Sequence, residues 1–495
     1  MIDNIYSKFR KSRLAIFIIF MRVFFNLAFI LIFSLGISAQ SGRTVQKTTV
    51  SNDSAVNELK NLTAEQMFNQ ANNYAKLKFA EFERQKVPFS DELLKKTVSE
   101  QKQLAAKYAT HLSTRENLSP DDFYFLGMLH WIAENADGAG EAFGKFLASE
   151  KPNAEKAQAA RSVIVIFAAR RKKFDEAEKM LAEYLKSEPV KMSERSRMEN
   201  ELAESYSSEK NYAKAAAHAE EAYIAAKALF KDWTSRARAL NEVLNAAVIV
   251  FEIYRADGKP AQADAVLDDL RKTGVSVESN DIYFNAVDRK IKYLIETGRK
   301  PLALQTYAET LEQVKKDFTA KPLQDAVIRN LKKRETHYKL LGETAPELAN
   351  IERWFPGTAQ TFSNLRGKVI LLDFWAIWCA PCIAAFPSLV ELHDTYKRDG
   401  LVILGVTRYY GAVQGMLADE NTEFNYLQNF RKTYNLPYDF VVAKGQANQT
   451  AYGANGIPTA VLIDHKGIVR YVETGTSENR EAQLQKAIIN LLAEK

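Results

Sequence analysis

The sequence predicts a multidomain chain in which an all-α helical array precedes an α/β domain built on a mixed β-sheet. Three observations lead there. Residues 55–341 read as helix after helix, rich in Ala, Leu, Glu and Lys, with a weak internal repeat. At Gly342 the texture changes to apolar runs of strand length alternating with helical stretches. The two cysteines of the whole chain, Cys379 and Cys382, fall between the first such run and the helix after it.

A chain of 495 residues is too long for one ordinary core, and 46% hydrophobic with 26% charged residues is a globular composition. Two cysteines exclude a disulfide-stapled scaffold and a four-cysteine zinc site. The six histidines (His111, His130, His218, His337, His393 and His465) show no pair at metal-ligand spacing, so no metal site is expected. Of the formal charge of +6, residues 1–39 carry +4, leaving +2 for the rest. There Lys and Glu are interleaved, which describes solvated helix faces and argues against a nucleic-acid partner.

Residues 1–39 read as a signal peptide or an N-terminal anchor. A basic leader (Lys8, Arg10, Lys11, Arg13) precedes an apolar run at 14–37, interrupted at Arg22 and Asn26. Val23–Ile37 has signal-peptide length, and Ser38-Ala39-Gln40 offers Ala39 as the last residue before cleavage. Met21-Arg22 would itself make a short signal start. Left uncleaved, the run at 14–37 is long enough to span the ~30 Å hydrocarbon core. No cysteine follows it to carry a lipid. Either outcome exports the remainder to a periplasmic or other extracytoplasmic, oxidising compartment, where a retained cysteine pair points to catalysis. Residues 40–54 are a linker.

The repeat in the array is a turn followed by an alanine, at Ala136-Asp-Gly-Ala139, Phe174-Asp-Glu-Ala177, Tyr212-Ala-Lys-Ala215, Pro260-Ala-Gln-Ala263 and Lys300-Pro-Leu-Ala303. The alanines lie 38, 38, 48 and 40 residues apart. A small residue there lets two helices of a hairpin approach closely, and units that cannot bury their own apolar faces must stack. Asn211–Ala222 and Phe174–Leu181 resemble halves of tetratricopeptide repeats, with looser spacing than usual. A tetratricopeptide-like solenoid is therefore expected. Its work is either to bind partner or substrate proteins, or only to space the second domain from the membrane or mediate self-association.

In the C-terminal part, 342–495, Lys368–Trp375 reads as a strand buried on both faces and Leu401–Thr407 as a second. Ala460–Asp464 and Gly467–Val472 form a hairpin, and helices are expected at Pro381–Lys397, Glu423–Tyr434 and Glu481–Glu494. Trp378-Cys379-Ala-Pro-Cys382 sits at a helix start, where two cysteines three apart can close a small disulfide ring, the first outward and the second covered. The helix N-terminus stabilises a thiolate. Lowering a thiol pKa from ~8.5 to ~7 raises its thiolate fraction at pH 7 to about half, for about 2 kcal/mol.

These residues resemble the thioredoxin superfamily and, within it, the exported TlpA- and ResA-like thiol–disulfide reductases. The resemblance covers 342–495 and rests on Ala345-Pro346, Leu365-Arg-Gly-Lys368, Asp373-Phe-Trp-Ala-Ile-Trp-Cys-Ala-Pro-Cys382, Phe386-Pro387 and Gly456-Ile-Pro-Thr459. It implies an α/β thioredoxin fold in which Cys379 attacks a substrate disulfide and Cys382 resolves the mixed disulfide, with no cofactor beyond that redox-active pair. It implies that Asp373 is a buried proton acceptor for Cys382, its pKa raised by desolvation. Ile457 and Pro458 match the cis-proline loop that pairs with substrate peptide, and Trp378 would shield one side of the disulfide. Pro387 would kink the helix. One departure stands out: Ala385 occupies the position where many relatives carry a glutamate, leaving Asp373 to serve alone. Arg408, past the second strand, is either a tuner of local charge or an ordinary exposed arginine.

The resemblance makes protein disulfides the expected substrates. The Ala-Pro dipeptide between the cysteines lacks the histidine of strong oxidants, which points toward a potential nearer about −270 mV than about −120 mV. A reductase of that kind needs a separate membrane electron donor. Competing readings are a disulfide oxidase or isomerase, and a non-catalytic scaffold in which the array is the working part. A peroxiredoxin is less favoured, since its Thr-x-x-Cys site is missing.

Overall fold

The computed structural model of the protein describes residues 61–87, 90–476 and 478–494. The signal or anchor at 1–39 and the linker at 40–54 lie outside the described residues. The chain divides into two compact units, one ending at Val266 and one beginning at Leu267. Among the described residues no helix is long and apolar enough to cross a membrane.

The first unit is built from α1 (Ala64–Arg84), α2 (Asp91–Ser113), α3 (Pro120–Ile132), α4 (Ala136–Leu147), α5 (Ala154–Arg170), α6 (Phe174–Lys186), α7 (Met192–Ser208), α8 (Tyr212–Ala228) and α9 (Arg236–Ala256). Helix α10 (Pro260–Ser276) crosses the division. Helices start where a short polar side chain takes a free amide, as Thr63, Ser119 and Asn153 do. The five sequence repeats fall on five equivalent turns. Each is entered through a residue in the left-handed region: Glu134 (φ 58°), Lys172 (60°), Lys210 (60°), Gly258 (68°) and Gly298 (76°). The next amide donates five residues back, from Asn135, Lys173, Asn211, Lys259 and Arg299 to the carbonyls of His130, Ala168, Tyr206, Tyr254 and Leu294. This bond satisfies an orphan carbonyl of the outgoing helix. The alanine then falls on the fourth residue of the incoming helix, and all five alanines are fully buried. The longest interval, between Ala215 and Ala263, holds two 3₁₀ turns at Leu229–Lys231 and Trp233–Ser235 and the 21-residue α9.

The second unit opens with α11 (Asn280–Glu296), α12 (Lys300–Asp317) and α13 (Lys321–Leu340). It continues with β1 (Ile351–Phe355), β2 (Val369–Phe374), α14 (Ala380–Tyr396), β3 (Leu401–Arg408), β4 (Ala412–Val413) and β5 (Met416–Leu417). It ends with α15 (Glu420–Thr433), β6 (Asp439–Ala443), α16 (Ala447–Ala451), β7 (Thr459–Ile463), β8 (Val469–Thr474) and α17 (Glu478–Ala493). The six-stranded sheet runs β1-β6-β3-β2-β7-β8, with β4–β5 a separate hairpin. Strands β2, β3 and β6 are parallel, while β1, β7 and β8 are antiparallel to their neighbours. The mixed, helix-covered sheet is an α/β thioredoxin fold. All six residues of the central β2 are buried, as its unbroken apolar run requires. Strands β1 and β6, the β4–β5 hairpin and α16 were not anticipated from the sequence. The other strands and helices after Gly342 lie within a few residues of their expected bounds.

Secondary structure changes at 341/342, where the sequence reading divides the domains, yet the compact unit begins at Leu267. The reason is packing. Tyr283, Val287, Ile291 and Leu294 of α11, and Val327, Leu331 and Tyr338 of α13, join Ile370, Leu372, Phe374, Val461 and Val472 of the sheet in one hydrophobic cluster. Charge reinforces it: Glu473 of β8 pairs with Lys292 of α11 and, at 2.8 Å, with Arg334 of α13. Buried His337 of α13 makes a 2.9 Å hydrogen bond to the Gly453 carbonyl. Lys300 donates to the Leu341 carbonyl at 2.7 Å.

Candidate active site

Strand β2 runs out at Phe374, and a short turn leads to Cys379, the N-cap of α14. Cys379 and Cys382 form a disulfide with their Cα atoms 5.3 Å apart. The Cys379 sulfur accepts a hydrogen bond from the Cys382 amide at 3.2 Å, so a sulfur does the work of the usual Ser or Asp cap. The site thus lies where the helix dipole favours a thiolate. In this oxidised form both sulfur residues are buried, Cys379 4% and Cys382 1% exposed. The expected contrast between an outward and a covered cysteine is small here, because the capping bond turns the Cys379 sulfur in over the helix start. Pro387 lies inside α14.

Asp373 sits next to the end of β2, two residues before Trp375 and therefore on the same side of the strand. That side faces α14: the Trp375 indole meets Phe386 of α14 edge-on at 5.5 Å and packs on Phe430 and Phe440. Gly405, the register partner of Asp373 on β3, leaves room for this box, since a Cβ there would lie 3.0 Å from the Trp375 Nε1. Burial pushes the Asp373 carboxyl up to about 7. The buried Tyr438 phenol is pushed up too, first by burial and then by the Asp373 charge. Sequence reasoning missed Tyr438; only the fold brings it near Asp373.

Thr459 pairs with Phe374, so the Ile457-Pro458 loop and the cysteine turn leave the sheet at the same end. The Ile457-Pro458 peptide is cis. The loop is held by the Gly475 amide, which donates to the Pro458 carbonyl at 2.7 Å, and by the Thr459 hydroxyl, which donates to the Gly456 carbonyl at 2.7 Å. Pro458 is buried and Ile457 half-buried.

Arg408 closes β3 at that end too, with its guanidinium 4.2 Å from the centre of the Tyr410 ring. Tyr410 in turn meets Trp378 edge-on at 5.3 Å. Trp378 is 62% exposed and stands out beside Cys379. Buried Glu423 of α15 accepts from the Tyr410 and Gly411 amides at 3.0 and 3.1 Å and ties this loop down. Neither Tyr410 nor Glu423 was singled out in the sequence; the Tyr409-Tyr410 pair just after a strand end was the available signal. Among the described residues no group of three or more His, Cys, Asp or Glu is placed to hold a metal ion.

A family model described as Redoxin matches residues 340–488. A thiol-disulfide oxidoreductase ResA from Bacillus cereus is 32% identical over 148 residues, which is 30% of this chain and 78% of that protein. The ResA protein of Geobacillus kaustophilus is 28% identical over 143 residues, 29% of this chain and 74% of that one. Among solved structures, a putative thiol:disulfide interchange protein DsbE from Chlorobium tepidum is 26% identical, with 31% of this chain and 98% of that chain covered and a TM-score of 0.26.

Proposed function

Because the chain belongs to the TlpA/ResA-like thiol–disulfide oxidoreductases of the thioredoxin superfamily, we propose that it reduces protein disulfides outside the cytoplasm, with its helical array holding the partner or substrate. The single observation that carries the redox reading is the Cys379–Cys382 disulfide at a helix start.

In the reduced enzyme the Cys379 thiolate attacks one sulfur of the client disulfide. A bond forms between Cys379 and that sulfur, the client S–S bond breaks, and the other client sulfur leaves as a thiolate and takes up a proton. Asp373, ionised, accepts the Cys382 proton. The Cys382 thiolate then attacks the Cys379 sulfur, closes the enzyme disulfide and releases the second client thiol. The client gains two electrons from the enzyme pair and two protons, one from Cys382 by way of Asp373 and one from the solvent that took the Cys379 proton when it ionised. Resetting the pair needs a dithiol donor; with only two cysteines in the chain, that donor is a separate protein, at the membrane in this reading. Export is supported by the basic leader and the apolar run at 14–37. The array reading is supported by the five equivalent turns, which suit a tetratricopeptide-like stack.

The test is the reduction potential of the pair, equilibrated against dithiothreitol or glutathione buffers. A value below about −230 mV supports the reductase. A value above about −180 mV overturns it in favour of an oxidase or isomerase, since such a pair would take electrons from client thiols.

A further inference from the structure

We propose that the β4–β5 hairpin is a docking ledge for an extended, apolar stretch of the client polypeptide beside the disulfide being exchanged. This deepens the redox reading above and rests on it.

The hairpin is a built object. Gln414 (φ 51°) and Gly415 (φ 82°) form a two-residue turn with both residues left-handed, the arrangement that matches strand twist in tight hairpins. Ala412 pairs with Leu417 and Val413 with Met416, and the Ala418 amide closes the base on the Gly411 carbonyl at 3.0 Å. Its root is the Tyr410-Gly411 segment that buried Glu423 holds by two backbone amides. What this fixed arm presents to water is Met416, 68% exposed, and Leu417, 96% exposed. Scattered apolar residues on a surface need no explanation; two successive ones on a hydrogen-bonded arm, one on each of its faces, do.

The arm's position names its occupant. Its root residue Tyr410 is in ring contact with Trp378, the neighbour of Cys379. Trp378 and Tyr410 thus form a surface that starts at the nucleophile, and the hairpin is rooted in it through the Gly411–Ala418 backbone bond. A client must deliver a sulfur to Cys379, so the residues flanking that cysteine leave across this surface. Residues 412–417 carry no charge, which suits an apolar segment rather than an acidic or basic one. Met416 adapts to varied partners, as a binder of many client sequences requires. A second copy of the chain fits poorly: Met416, Leu417 and Trp378 fall short of the roughly 800 Å² per partner that a stable dimer buries.

The experiment uses the full chain, reduced, with three disulfides: a peptide whose cystine is flanked by Leu and Phe, its counterpart flanked by Ser, and oxidised glutathione. The expected result is that wild type favours the apolar peptide over the Ser peptide by about tenfold in kcat/KM, the worth of one or two buried apolar side chains. In the double variant Met416→Ser/Leu417→Ser, the ratio of apolar peptide to glutathione falls about tenfold. Leu417→Ser alone, at the more exposed position, falls part of the way. Equal peptide rates in wild type, or an equal slowing of all three substrates in the variant, overturns the ledge and leaves the redox reading standing. A wild type that reduces none of the three overturns both. A dimer in sedimentation that the double variant dissolves also overturns the proposal, because the pair is then covered by a second copy.

Discussion

Cys379 caps its helix with a sulfur, and the division of labour between the two cysteines follows from that position. The helix start stabilises a thiolate on Cys379, the N-cap, while Cys382 lies one turn in. Cys382→Ser should therefore leave the first attack intact and trap client mixed disulfides on Cys379, visible as slower bands on non-reducing gels. Turnover should fall by at least about a thousandfold. Asp373 makes a different prediction. Its carboxyl titrates near 7 in the fold against 3.8 when unfolded. Between those values the folded form binds more protons, so its stability is full at low pH and is lost as pH rises through 7. At pH 8 the buried charge costs up to about 4 kcal/mol. Asp373→Asn should thus stabilise the oxidised protein at pH 8 and flatten its denaturation profile between pH 4 and 7. The variant should also turn over more slowly, with Cys382 deprived of its proton acceptor. A variant no more stable than wild type at pH 8 would remove the case for a desolvated carboxyl.

At the scale of the element, the loop after β3 shows how one side chain can hold a segment that has no ladder of its own. Glu423 occupies the first turn of α15, buried, and takes both the Tyr410 and Gly411 amides. Glu423→Ala would strand the two partly buried amides of Tyr410 and Gly411 and should cost about 1 kcal/mol of stability. Its more specific signature is local: amide exchange at Tyr410 and Gly411 should accelerate far more than exchange in β2. Equal acceleration across the sheet would mean that Glu423 serves the global fold instead. The α15 helix itself was legible, but its start lay three residues earlier than expected, at Glu420, because Asp419 caps it through the Thr422 amide.

For the whole molecule, the consequential boundary is the one at Leu267. A fragment beginning at Gly342 would strip α11 and α13 from the cluster they share with the sheet. It would also leave Glu473, a mostly buried carboxylate, without Lys292 and Arg334. Such a fragment should melt well below one beginning at Leu267, by about 10 °C or more, and expose apolar surface to a hydrophobic dye. Equal melting temperatures would show that the helices are passengers. Any assay of the redox domain without its array should accordingly begin at Leu267.

The cysteine pair and the segments around it were legible in the chain because they rest on local, short-range spacing. A Cys-x-x-Cys after an apolar run, Asp373 six residues before it and Ile457-Pro458 before a strand survive as patterns whatever surrounds them. The helices of the array were legible for the same reason, through periodicity and alanines that each recur on the fourth residue of a helix. What the tertiary structure alone decided depends on residues far apart. Strands β1 and β6 pair across most of the domain, so neither announces itself locally. Tyr438 comes within electrostatic reach of Asp373 only through the sheet, Tyr410 meets Trp378 only through the loop, and α11 and α13 join the redox unit only through shared burial. Composition carried the helical texture as far as Leu341, but burial of apolar area, which is blind to that texture, assigned the last helices to the sheet.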